Sequence, residues 1–159
     1  MAAEHRRRLR RAARVLGALA LLAVAGIHIE QYTVAHYSVI PTIGALFLVN
    51  FIAASVCSLA LLTPVRDQRL RTTINALAAV GGIGVSAGAL TALLISEHTP
   101  LFGFSEHGSR LEIVIALASE AGAIMALAML LTTLTQARPR RPPRHARSHA
   151  AGAPGPGEA

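Results

Sequence analysis

The sequence predicts an all-α protein: a four-helix transmembrane bundle with both termini cytoplasmic and a disordered basic C-terminal tail. Three observations carry that expectation. Four apolar stretches, at about residues 12–29, 42–63, 74–95 and 111–134, are each long enough to cross a bilayer. The composition, 53% hydrophobic and 14% charged with a mean hydropathy of +0.50, suits hydrocarbon better than water. The basic residues, all 15 of them arginine, crowd onto one side of the resulting topology.

The chain divides into a basic cytoplasmic arm (1–13), a four-span domain (14–136) and an Arg/Pro/Gly-rich tail (137–159). The arm carries Arg6, Arg7, Arg8, Arg10 and Arg11, with Arg14 just beyond it. A basic start followed by an apolar run has two readings: a retained first span, or a signal peptide cleaved near Ala23-Val24-Ala25. The retained span is the better reading, because apolar character continues to Ile29 and four spans balance the topology. Pro41 suits the first turn of the second helix, and Pro64 ends that span. A short link with Arg66, Asp67, Arg69 and Arg71 leads to a third span rich in glycine. The longest link, Ser96 to Arg110, precedes the fourth span. The tail is too rich in Pro, Gly and Arg to pack.

Fourteen arginines fall on the side of the termini and one, Arg110, on the other. This places the protein as a multi-pass protein of the cell membrane with both ends inside. The net charge of +7 then reflects topology and contact with anionic headgroups rather than nucleic-acid binding. The single cysteine, Cys57, excludes an intramolecular disulfide. No nucleophile elbow, phosphate-binding glycine loop or CxxC pair occurs, so the residues point away from an enzyme.

Two intramembrane residues need a reason. Asn50 lies nine residues after Pro41, and Glu120 nine after Leu111. Both spans enter from the outer face, so both side chains reach about 13 Å below that edge at 1.5 Å per residue. Equal depth makes them candidate partners across a helix interface. Glu112, Ala116 and Glu120 recur at helical spacing as a stripe descending from the outer surface. His28, just inside the end of the first span, would sit above Asn50. Glu120, Asn50, His28 and Glu112 are therefore the candidates for a proton or substrate path, open to the outside. The same group reads equally as a buried interhelical hydrogen bond.

Glu97, Glu106, His28, His36, His98 and His107 gather at the outer face. Imidazole and carboxylate together suit a divalent metal ion, though the spacing matches no compact metal motif and also fits a solvated loop. Gly84, Gly88 and Gly122 lie in small-xxx-small stripes of the third and fourth spans. They read as helix-packing positions between those neighbours, or as the face of a homodimer or of a membrane-complex partner.

The segments G-I-H-I-E-Q-Y (26–32), I-G-A-L-F-L-V-N-F (43–51), L-F-G-F-S-E (101–106) and L-A-S-E-A-G-A (117–123) stand out together. They resemble an uncharacterised family of small four-span membrane proteins of high-GC Gram-positive bacteria. The resemblance implies four spans and assigns no activity; His28, Asn50, Glu106 and Glu120 are among the polar residues within it. Small multidrug transporters differ in carrying their essential glutamate in the first span. Di-haem four-helix cytochromes need paired intramembrane histidines that this chain lacks. The functional expectation is an integral membrane protein without identifiable catalytic activity, serving as an accessory or assembly component. The alternative is a small proton-coupled or metal-linked transporter using the intramembrane carboxylate.

Overall fold

The computed structural model describes residues 1–96 and 110–136. Four helices make the architecture: α1 (Ala2–Thr33), α2 (Pro41–Leu62), α3 (Gln68–Ser96) and α4 (Arg110–Thr135). Each is long and apolar enough to cross a membrane. The fold is thus an all-α, four-helix membrane bundle. The tail from residue 137 onward, with the disorder expected of it, lies outside the described residues.

Local chemistry sets the helix ends. The basic arm and first span form one continuous helix, since arginine, alanine and leucine are all strong helix formers. A single-turn helix, Tyr37–Val39, joins α1 to α2. His36 starts it with a left-handed backbone (φ 62°), a conformation in which histidine is over-represented among non-glycine residues. Pro41 occupies the first turn of α2, where its missing N–H costs nothing. Asp67 caps α3 by accepting a 2.7 Å hydrogen bond from the Leu70 N–H.

The helices stand in a ring in chain order. α1 packs against α2 and α4, α3 packs against the same two, and α1 and α3 touch across the diagonal. α2 and α4 face each other from opposite corners without meeting. Ser58 donates to the Ala18 carbonyl at 2.8 Å, while Asn50 meets His28, so α1 and α2 run antiparallel. Successive helices alternate in the same way, giving an up-down bundle.

Three layers stack along the axis. The middle one is apolar and tight: Leu21, Leu61, Leu127 and Leu130 are fully buried. Leu127 is wedged between glycines, with its methyl carbons 2.7 Å from where a Cβ would stand at Gly17 and at Gly82. The expected packing glycines are not those the bundle uses. At Gly84, Gly88 and Gly122 a Cβ would meet nothing within 4 Å. The physical reason is helix phase: Gly82 and Ser86 point inward, which turns Gly84 and Gly88 outward. Above this layer lies a polar cluster, and below it a group of arginines from α1 and α3.

Candidate functional site

The polar layer takes one side chain from each helix. His28 of α1 sits at its centre, 7% exposed, and Glu120 of α4 is 3% exposed. His28 Nδ1–H donates to the Val24 carbonyl, one turn back, at 2.9 Å. That bond fixes the tautomer of a neutral ring and leaves Nε2 as an acceptor. Asn50 Nδ2–H of α2 donates to His28 Nε2 at 3.2 Å. Glu120 Oε1 lies 3.9 Å from the same nitrogen, an ion pair when the imidazole is protonated.

Asn50 and Glu120 do share a level, but they are not direct partners across an interface. Their helices occupy opposite corners, and His28 bridges them because α1 is the helix that packs against both. Histidine thus becomes the hub, deeper in the bundle than a position just inside the first span implies. α1 continues as helix past Ile29 to Thr33, so more than a turn of helix lies beyond His28 on that side.

Ser86 of α3 completes the layer. It is fully buried, and its hydroxyl approaches the Glu120 carboxyl closely enough to interact electrostatically. It falls outside strict hydrogen-bond geometry, however, and neither Ser86 Oγ nor Glu120 Oε2 has a hydrogen-bond partner among the described residues. Counting depth would have found it: Ser86 lies nine residues from Ile95, as Asn50 and Glu120 lie nine from the starts of their spans.

Aromatic rings cover the cluster from the link side. Phe47 of α2 tilts against the His28 ring at 5.6 Å, and Tyr37 stacks on Phe47 at 5.4 Å. Gly44 makes this cover possible. A Cβ there would come within 2.9 Å of Ser38 Cα and the Tyr37 carbonyl oxygen, so only glycine lets the single-turn helix settle on α2. Among the described residues, His28 and Glu120 are thus buried beneath this cover, where the sequence suggests a path open to the outside. Tyr37 and Phe47 are site residues that the sequence reading passed over.

The remaining candidates divide. His36 is exposed and donates through Nδ1 to the Thr33 carbonyl at 3.0 Å, so it serves the turn. Glu97, His98, Glu106 and His107 lie outside the described residues, as does the side chain of Glu112. Among the described residues no group of three or more His, Cys, Asp or Glu side chains converges as a metal site would. Among the described residues His28 and Glu120 supply two such donors, fewer than the three or four protein ligands of a zinc site.

Chemically, the arrangement can hold a proton in two places. With the proton on Glu120, its O–H faces a basic Nε2. With the proton on His28, an imidazolium faces a carboxylate, and Asn50 must turn its amide so that Oδ1 accepts in place of Nδ2 donating. No family model matches the sequence, and no curated protein or solved structure matches it either.

Proposed function

We propose that the protein is a small proton-linked transporter of the cytoplasmic membrane, with Glu120 as the proton-carrying group and His28 as its exchange partner. The observation that carries this reading is Glu120 itself. It is a buried carboxyl 3.9 Å from an imidazole nitrogen, and its second oxygen has no hydrogen-bond partner among the described residues. A carboxyl kept only to join helices would be expected to satisfy both oxygens, because an unmet acceptor in hydrocarbon costs free energy. A proton passing from Glu120 Oε1 to His28 Nε2 leaves the charge of the pair unchanged. Loss of that proton from His28 to the outside returns the imidazole to its neutral form and leaves Glu120 anionic. Displacement of the Tyr37–Phe47 cover would give the pair access to the outer aqueous phase. The split of fourteen arginines against one supports placing both termini in the cytoplasm.

The test has two arms. Infrared difference spectra of lipid-reconstituted protein should contain a titrating buried-carboxyl band that disappears in Glu120→Gln and moves in His28→Gln. Proteoliposomes holding a pH gradient should dissipate it when offered a subset of small solutes, and Glu120→Gln vesicles should behave like protein-free ones. An unchanged carboxyl band and unchanged proton flux in Glu120→Gln would sink the proposal.

One observation favours a second reading, an accessory or assembly component of a membrane complex. The polar layer draws on all four helices, as a buried fastening would. That reading expects Glu120→Gln to lower stability or subunit association while no proton movement is detected in the unaltered protein.

A further inference from the structure

The opposite end of the bundle holds a second built feature. Arg7, Arg10, Arg11 and Arg14 fall at helical spacing on one face of α1, and across the diagonal Arg71 and Asn75 lie one turn apart on α3. Together these six side chains line a pocket of about 120 Å³. That is several times the roughly 30 Å³ share of a water molecule. Five guanidinium groups enclose it, and no carboxylate is among its lining residues. Two acidic residues of these segments are engaged elsewhere: Glu4 pairs with Arg8, which is not among the lining residues, and Asp67 caps α3.

Two details separate this from a solvated basic face. Asn75 is 6% exposed, so a neutral polar group is held under the arginines, at the floor of the pocket. Arg14 Nε is buried and has no hydrogen-bond partner among the described residues. A buried donor left unmet costs about 1–3 kcal/mol, more when charged, unless something accepts from it. Convergent forked donors with an amide beside them are the recognition chemistry of a phosphate group.

We propose that this pocket is an anion site for a phosphate group, with Arg14 and Arg71 clamping it from opposite helices. Its level, where the apolar part of α1 gives way to the basic arm, is that of lipid headgroups, and an anionic phospholipid can supply the phosphate there. Such a ligand would tie α1 to α3, the two helices that otherwise meet only across the diagonal. The site lies at the far end of the bundle from His28 and Glu120, so it stands or falls independently of the transport reading.

Full-length protein, delipidated in a neutral detergent, would be titrated with short-chain phosphatidylglycerol, short-chain phosphatidylcholine or inorganic phosphate. Bound ligand would be counted by native mass spectrometry and affinity followed by thermal shift. The variants are the double change R14Q/R71Q, the milder R71Q alone in case the double variant fails to fold, and the charge-matched control R6Q/R8Q, outside the pocket. Saturable one-to-one binding of phosphatidylglycerol is expected, weakened about tenfold or more in R14Q/R71Q, measurably in R71Q and little in R6Q/R8Q. Saturable binding of inorganic phosphate with the same variant pattern would support the site with a soluble source. Equal weakening in R6Q/R8Q and R14Q/R71Q would overturn the proposal, since diffuse charge alone would then explain binding. So would indifference between phosphatidylglycerol and phosphatidylcholine, or no binding at all.

Discussion

At the scale of single residues, His28 should matter more to stability than either residue it bridges. Asn50→Leu removes one donor and leaves the His28 nitrogen near Glu120. His28→Leu removes the acceptor of Asn50 and the neighbour of Glu120 together. Unfolding in mixed micelles should show a loss of about 1 kcal/mol for Asn50→Leu, typical of an intramembrane hydrogen bond. His28→Leu should lose about 1–3 kcal/mol, because two polar groups are left without it. The double variant then gives a coupling energy close to the value for Asn50→Leu; additivity would mean that the 3.2 Å contact contributes nothing. The shared level of Asn50 and Glu120 was legible from spacing alone. Their separation by a third helix was not, because residue spacing fixes height along a bundle axis and says nothing of position around it.

At the scale of elements, the fit of Leu127 between Gly17 and Gly82 leaves no free space for a methyl group at either glycine. Gly82→Ala places a methyl group 2.7 Å from Leu127 Cδ1 and 2.9 Å from Leu21 Cδ1. Both leucines are fully buried, so relief requires the helices to shift, at about 1–3 kcal/mol. Gly84→Ala meets open space and should be neutral or slightly stabilising, gaining up to about 1 kcal/mol of helix propensity. Melting temperatures of the two variants in one detergent check the contrast. If Gly84→Ala is the more damaging, the outward glycines pack against something outside this chain.

Gly44 makes the second prediction at this scale. Gly44→Val should lift the Tyr37–Val39 turn from α2, and hydrogen exchange over residues 37–40 should speed up while the helix cores stay protected. The sequence marked glycine-rich stripes but not which glycines the bundle uses. A small-xxx-small pattern describes a helix surface, and only packing decides which way that surface turns. Gly82 and Gly84 differ by about 200° of helix rotation, and that difference sends one inward and the other outward.

At the scale of the whole molecule, composition and length made the four spans legible, because hydrocarbon admits few solutions for a chain this apolar. The direction of insertion is an expectation from a different force, the asymmetry of arginine, and it can be tested separately. Neutralising the six arginines Arg6, Arg7, Arg8, Arg10, Arg11 and Arg14 would still leave eight on the side of the termini against one opposite. Orientation should therefore survive that change, since the second link and the tail keep the bias. The protein offers a clean assay because Cys57 is its only cysteine and lies half-buried within α2. In a Cys57→Ala background, Ser38→Cys places a thiol in the first link and Gln68→Cys places one at the start of α3, both at exposed positions. Membrane-impermeant maleimide applied to intact spheroplasts should label Ser38→Cys and spare Gln68→Cys until the membrane is opened. The same result is expected with the six arginines replaced by glutamine. Labelling of Gln68→Cys in intact spheroplasts would reverse the topology, and with it the side assigned to the proposed proton exchange at Glu120. Reversal only in the neutralised variant would mean that the N-terminal arm alone sets orientation.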